Sequence, residues 1–510
     1  MMLARTQSAT PWGVDARAVL VEVDVHNGLP QMQIVGLADA SVRESRERVR
    51  SAIKNSGFDL PPRVVVVNLA PANLRKEGNH LDLGIAIALM TALGTLTQEV
   101  LEGSLLCGEL GLDGTVRPIR GALAIADLAA REGCKQVLLP ASNAGEAAAL
   151  GRIPIIPITS LTEAVDHLLG HVTIPHAEAS APLSDGLEKV PDLSEVRGQE
   201  GAKRALEIAA AGGHNLLFIG PPGSGKTMLA RRLPGILPRL TLAESIEVTK
   251  IHSLVAEEPP SKLISQRPFR SPHAGVSTAG MIGGGSIPRP GEVSLAHGGV
   301  LFLDELPEFR RDALEALRQP LEEGMVTVVR TRARFDFPAR VALLAAMNPC
   351  PCGHLGDPRQ RCRCSPMAVE RYRGRISGPL LDRIDLHVEV PAVSLQELRS
   401  PPGEGTNSVA TRVLDARQRQ IARFGTASPT PINAAMDSQG LRRHCRLSDD
   451  AQKLVDTAYE RLHLSARALT RILKVSRTIA DLAASEQLES NHIAEAIQYR
   501  TLDRRHGGES

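Results

Sequence analysis

Eight residues limit the fold more than any other stretch of this chain: Gly220-Pro221-Pro222-Gly223-Ser224-Gly225-Lys226-Thr227. They follow the apolar run Leu216-Leu217-Phe218-Ile219 and precede Met228 to Leu233, a run that can be helical. Strand, glycine-rich loop and helix in that order form a phosphate site. The glycines let backbone N–H groups curl around a polyphosphate, and the helix N-terminus adds partial positive charge. Lys226 can reach the β- and γ-phosphates, and the Thr227 hydroxyl can ligate Mg²⁺. The plainer reading, a glycine-rich turn before an ordinary helix, leaves the quality of both flanks without a cause. The stretch predicts a nucleotide-binding α/β domain.

At 510 residues the chain has room for about three domains. Hydrophobic residues make up 43% but aromatics only 2%, so aliphatic and alanine side chains must do most of the packing. A net charge of +2 gives no global field, and any nucleic-acid surface has to be local. Met1 to Thr10 lacks the apolar core of a signal peptide. The apolar stretch Leu83 to Leu96 is too short to span a bilayer and reads as a buried helix. Seven cysteines without a secretion signal fit reduced thiols in the cytoplasm. These features predict a cytoplasmic protein with no membrane partner.

In the first third, Val19, Val21, Val23 and Val25 alternate with polar residues as in a half-buried strand. Asp39 can cap a helix that stops at Gly57, and Arg63 to Asn68 reads as a strand buried on both faces. A helix from Leu83 to Leu93, a turn over Gly108–Gly114, a helix from Ala122 to Arg131 and a strand Val137–Pro140 complete an α+β pattern ending near Gly170. Gly108 to Pro140 resembles the Lon-type protease domain, a ribosomal-protein-S5-like fold. That resemblance places the nucleophilic serine at Asp82, within Leu81-Asp82-Leu83-Gly84-Ile85-Ala86, and the partner lysine near Leu123. A carboxylate cannot serve as the nucleophilic serine, and leucine cannot activate one. The domain is therefore expected to be catalytically silent, with a scaffolding or partner-binding role.

His171 to Pro191 has the composition of a linker. Regular patterning resumes at Val196-Arg197-Gly198-Gln199-Glu200, with a helix from Ala202 to Ala211. Gly299-Val300-Leu301-Phe302-Leu303-Asp304-Glu305 is an apolar strand ending in two carboxylates. Asp304 is placed to hold Mg²⁺, and Glu305 to polarise the attacking water. A third apolar strand, Val341 to Met347, ends in Asn348, near a γ-phosphate if its strand lies beside the nucleotide-bearing one. Leu380-Leu381-Asp382-Arg383-Ile384-Asp385 resembles the motif whose arginine enters a neighbouring subunit's site. An ion pair of Arg383 with Asp382 or Asp385 is the alternative. In the closing helical region, Leu447 to Tyr499, Leu464-Ser465-Ala466-Arg467-Ala468 resembles a sensor-2 turn. The resemblance has Arg467 reaching the γ-phosphate, with Arg471 as the fallback.

Between these motifs lie three unusual stretches. Pro268 to Glu292 is long and rich in Gly and Pro, as an insertion would be. Val326 to Pro338 reads as a hairpin with Arg330, Arg332 and Arg334 clustered at or near its tip, either a solvated basic turn or a phosphate-backbone contact. Cys350-x-Cys352 and Cys362-x-Cys364 are separated by nine residues, with His354 between them. Four thiolates there can make a structural Zn²⁺ site, or they remain reduced thiols on a basic loop.

Taken together the motifs resemble the YifB/ComM family of magnesium-chelatase-like AAA+ ATPases. The resemblance implies an α/β P-loop AAA+ module with a C-terminal helical lid, preceded by the α+β Lon-protease-like domain. Its segments would be 1–170, a linker at 171–194, the ATPase at 195–395 and the lid at 396–510. It further implies ATP and Mg²⁺ as ligands. It also implies a hexamer formed with ATP and DNA, and helicase or branch-migration work on branched or single-stranded DNA. Recombination proteins during natural transformation would be its partners. A magnesium-chelatase motor subunit and an ATP-driven protein remodeller are the alternatives.

Overall fold

The computed structural model describes residues 3–37, 39–74, 76, 78–178, 190–255, 262–285, 288–330, 333–425 and 431–500. They divide into two compact units. One draws on 1–186 with 241–265 and 327–337; the other draws on 187–240, 266–326 and 338–510. The middle of the predicted linker, 179–189, lies outside the described residues. Its start is packed, because Ile174 is buried and the Ala177 N–H donates to the Ile155 carbonyl at 2.7 Å. Among the described residues no helix is long and apolar enough to cross a membrane.

The first unit is built on a seven-stranded sheet. The strands run in the order 31–35, 64–70, 15–26, 3–12, 104–106, 136–140 and 155–158. Leu3–Trp12 pairs antiparallel with Asp15–His26 along its whole length, from Leu3 opposite Asp24 to Trp12 opposite Asp15. The alternating valines are all buried, as their period requires. Val64–Ala70 alternates between buried and half-buried positions, so it is less enclosed than its unbroken apolar run implies. Asp39 caps the helix Ala40–Asn55 through the Val42 N–H at 2.8 Å, a contact worth about 1 kcal/mol. The helix Asp82–Ala92 is buried on every face, which explains its apolar run Leu83–Met90.

The two positions matched to a protease dyad are occupied otherwise. Asp82 is fully buried and takes Arg48 Nε at 2.8 Å and Nη2 at 3.3 Å. Arg48 is fixed in turn by Ser45 and Asn79. Leu123 is buried in an apolar cluster with Ile125, Val137, Leu139 and Ile155.

Two segments that the sequence division gives to the ATPase range belong with this unit. The helix Leu242–Ser253 starts on a Thr241–Glu244 capping box, and Ile246 and Leu263 join the Leu123 cluster. Lys250 reaches Asp127 at 2.8 Å and Asp15 at 3.3 Å. Met325–Arg330 and Ala333–Pro338 form the expected two-stranded hairpin, and Phe335 lies 4.7 Å from Trp12, ring centre to ring centre.

The second unit holds a five-stranded parallel sheet in the order 269–270, 300–303, 342–347, 216–219, 386–389. Strands buried on both faces need no polar alternation, and Leu216–Ile219 and Val300–Leu303 are buried throughout. The helices Thr406–Phe424, Asp449–Arg461, Ala466–Leu482 and Ser490–Gln498 follow. Val413, Val455, Ile472, Ile479 and Ile493 share one core with Leu206, Phe218 and Phe302. Apolar burial joins the helical lid and the sheet, and ion pairs such as Arg204 with Glu495 at 2.9 Å add to it.

Candidate functional site: a nucleotide phosphate pocket

The strand order decides what meets what. Ala342–Met347 lies between Leu216–Ile219 and Val300–Leu303, so the residues following all three strands gather at one sheet edge. Gly220 leaves the first strand against the Val390 carbonyl, where a Cβ would stand 2.1 Å from the oxygen. No larger residue fits. The loop then turns through Gly225 at φ +91°, a conformation open to glycine, and the helix Lys226–Ala230 begins. The predicted helix from Met228 to Leu233 is broken into Lys226–Ala230 and Leu233–Ile236, where Pro234 starts a new turn.

Lys226 Nζ donates to the carbonyls of Gly220 at 2.7 Å and Pro221 at 2.9 Å, and to Asn348 Oδ1 at 3.3 Å. Burial lowers its pKa, while Asp304 and Glu305 act to raise it. Thr227 Oγ1 donates to Asp304 Oδ2 at 2.7 Å. Asp304 Oδ1 accepts the Glu305 N–H at 3.0 Å, and Glu305 sits in the left-handed region at φ +53° with its side chain exposed. A non-glycine residue there stores about 1–2 kcal/mol of strain, a feature that clusters at functional sites. Gln199 also has positive φ, +58°, and bridges the loop to the last strand through Ser224 O at 3.3 Å and Pro391 O at 2.6 Å.

The chemistry of this donor set follows. An ammonium beside backbone N–H groups suits a polyphosphate, and a hydroxyl with a carboxylate 2.7 Å away suits Mg²⁺. Glu305, exposed and next to them, is placed to orient water toward the terminal phosphorus.

The arginines stand apart from that cluster. Arg383 is 18% exposed and is bound by Glu322, by the Arg318 carbonyl at 3.0 Å and by the Pro379 carbonyl at 2.8 Å. Its ion-pair partner is therefore neither Asp382 nor Asp385. Asp385 belongs to a buried network with Arg471, His214 Nδ1 at 3.2 Å and the Asn215 N–H at 3.3 Å. Burial alone would raise the Asp385 pKa, but His214 and Arg471 outweigh it and hold the carboxyl well below its usual range. Arg471 is thereby committed to structure. Arg467 is 76% exposed and only loosely paired with Asp382, at 3.5 Å.

Of the hairpin arginines, Arg332 lies outside the described residues and Arg330 ends the strand Met325–Arg330. Arg334 bonds Asp336 at 3.1 Å, so part of the expected positive charge is matched within the hairpin. Cys350, Cys352, Cys362 and Cys364 do come together. Glu322 and the packing of Gly353 on Pro222 carry no sequence signal and emerge only from the structure.

Residues 192–398 match the family described as magnesium chelatase, subunit ChlI; residues 21–143 and 403–500 match further segments of that subunit, the latter its C-terminal part. The chain is 45% identical to the uncharacterized protein YifB of Salmonella typhimurium, over 99% of its own length and 98% of that protein's. It is 44% identical to the competence protein ComM of Haemophilus influenzae, with the same coverage. Lon protease 2 of Bacillus subtilis is 29% identical over 157 residues, 29% of this chain and 28% of that one. Full-length similarity of this kind, on a phosphate pocket with these residues, leads to one conclusion: the chain belongs to the YifB/ComM family of magnesium-chelatase-like AAA+ ATPases.

Proposed function

We propose that this AAA+ ATPase is a DNA motor, a hexameric ring that hydrolyses ATP to drive helicase or branch-migration work on branched or single-stranded DNA. Recombination during natural transformation is the setting, in the cytoplasm and with recombination proteins as partners. The observation that carries the reading is the division of the site. Lys226, Thr227, Asp304 and Asn348 converge in one chain, while none of the bonds of Arg383 is to them. A pocket with its arginine elsewhere fits completion by a neighbouring copy. The segments 1–170, 171–194, 195–395 and 396–510 are read as silent Lon-like domain, linker, ATPase and lid, with 241–265 and 327–337 of the ATPase range packed with the first unit.

In this reading Mg²⁺ is held by Thr227 and Asp304, and Arg467 joins the γ-phosphate from the lid. Zn²⁺ at Cys350, Cys352, Cys362 and Cys364 is structural. The name of one relative, a competence protein, supports the DNA setting. The family description as a chelatase subunit favours a second reading, a motor that serves metal insertion into a porphyrin. The test is the ATP hydrolysis rate with and without forked or four-way DNA. The DNA reading expects stimulation, and a rate indifferent to every DNA form would exclude it. Replacing Arg330, Arg332 and Arg334 with alanine is expected to weaken DNA binding and flatten its salt dependence. The log–log slope should fall by about 0.9 for each duplex phosphate that the variant no longer neutralises.

A further inference from the structure

Beyond the strand that carries Asn348, four sulfurs meet within the reach of a single ion. The Sγ atoms of Cys350, Cys352, Cys362 and Cys364 all lie within 4.8 Å of one another. Cys350 is 3.4 Å from Cys352 and 3.7 Å from Cys362, and Cys352 is 3.6 Å from Cys362. Four thiolates at about 2.3 Å around one tetrahedral ion stand about 3.8 Å apart along each edge. A disulfide would draw two sulfurs to about 2 Å. An iron–sulfur cluster distributes its cysteines over several metal atoms and spreads them wider than one ion does.

The surroundings of the sulfurs fit a metal thiolate. Cys362 accepts a backbone N–H bond from Cys364 at 3.4 Å. Such donors orient and neutralise metal-bound sulfur. His354 is engaged elsewhere, with Nδ1 3.4 Å from Asp357, which leaves the cysteines as a complete set of four.

The same loop touches the phosphate pocket. Cys350 follows Asn348 by two residues. Gly353, at φ +83°, runs so close to the phosphate loop that a Cβ would lie 2.6 Å from Pro222 Cδ and 3.9 Å from Asn348 Cγ. At the loop's far end, Arg373 of the helix Pro366–Arg373 returns to the Pro349 carbonyl at 3.3 Å. The base of the loop is thus tied by the bond from Arg373 to the Pro349 carbonyl, and the four sulfurs meet beyond it.

We propose that these cysteines hold one Zn²⁺ in a closed site, and that the ion acts as a positioning device for catalysis by pressing Gly353 against Pro222 and fixing Asn348 beside Lys226. The positioning half rests on the ATP-site reading, whereas the metal half does not. Without the ion the two cysteine pairs, nine residues apart in the chain, lose their common ligand, and the brace on Pro222 relaxes.

The test uses the full chain, purified without added chelator, and counts metal by elemental analysis beside ATP turnover. One zinc per chain is expected, and Cys364→His, which keeps four ligands, is expected to retain it. Cys362→Ser with Cys364→Ser is expected to lose zinc and to lower ATP turnover about 100-fold, the scale of a small misplacement of reacting groups. Should that double variant fail to fold, a mercurial titration of the parent replaces it. One zinc released together with turnover, both restored by excess thiol and Zn²⁺, supports the proposal. A parent with no zinc, or with iron in its place, overturns the metal site. A zinc-free chain with unchanged turnover overturns the brace. A parent that carries zinc but never hydrolyses ATP overturns the ATP-site reading and leaves the metal site standing.

Discussion

The Thr227 hydroxyl lies 2.7 Å from Asp304 Oδ2, joining two motifs 77 residues apart in the chain. Neither residue is placed by its own motif alone. The strand Ala342–Met347 separates their parent strands, and the contact is made over its end, beside Asn348. Two hard oxygens so arranged suit Mg²⁺, and in the proposed mechanism they divide the work with the residues around them.

Lys226→Ala removes the cation and is expected to weaken ATP binding about 10- to 100-fold, the worth of one or two charge-assisted bonds. Glu305→Gln keeps the shape and the phosphate contacts. It is expected to bind ATP as the parent does while turnover stops. Equilibrium binding of a fluorescent ATP analogue, alongside phosphate release, separates the two effects. Near-parental turnover in Glu305→Gln would remove the proposed base.

Arg383 is expected to act on a neighbour's nucleotide. Arg383→Ala should lower turnover about a thousandfold or more while leaving ATP binding intact. Mixing Arg383→Ala chains with Lys226→Ala chains should recover part of the activity that each lacks, because mixed assemblies contain sites with both groups. Parental hydrolysis by Arg383→Ala alone would show that the arginine serves only its bonds to Glu322 and the Arg318 carbonyl.

The chain has a single tryptophan, and its ring centre is 4.7 Å from that of Phe335. Trp12 fluorescence therefore reports on the arginine hairpin. Phe335→Ala is expected to shift the emission to the red and to cost about 0.5–1.5 kcal/mol of stability in addition to the burial term. An unchanged spectrum would mean that the two rings do not pack in solution.

Glu146 is fully buried, and neither oxygen makes a hydrogen bond of good geometry. Burial pushes its carboxyl to about 8; the Leu123 amide, Ser253 and Asn143 offset only part of this. The folded chain thus binds a proton that the unfolded chain releases above its ordinary value of 4.5. The associated stability is fully present below that value and is lost as pH rises toward 8. Glu146→Gln is expected to flatten the fall in the denaturation midpoint of the first unit between about pH 5 and about pH 8. Parallel slopes for parent and variant would contradict this.

Much of the phosphate pocket was legible in sequence, because its parts are local: a glycine loop after a buried strand, and carboxylates or an amide ending other strands. Parallel strands buried on both faces announce themselves as unbroken apolar runs, as Val300–Leu303 does. The first strand, Leu3–Trp12, was not legible, since its apolar residues are small or scattered and its pairing with Asp15–His26 supplies the order. The alliance of 241–265 and 327–337 with the first unit was equally hidden. It depends on Ile246, Leu263 and Phe335 meeting partners more than a hundred residues away. Arg383 was readable as a motif, but its bond to Glu322 is a tertiary fact.

The most direct test of the DNA-motor account is movement of a four-way junction branch, followed by strand separation on a gel, in parent and Glu305→Gln chains with ATP or a non-hydrolysable analogue. The account predicts branch movement by the parent with ATP alone, and junction binding without movement in the other three combinations. Movement that persists in Glu305→Gln or with the analogue, or a parent that hydrolyses ATP on the junction yet never moves it, would contradict it.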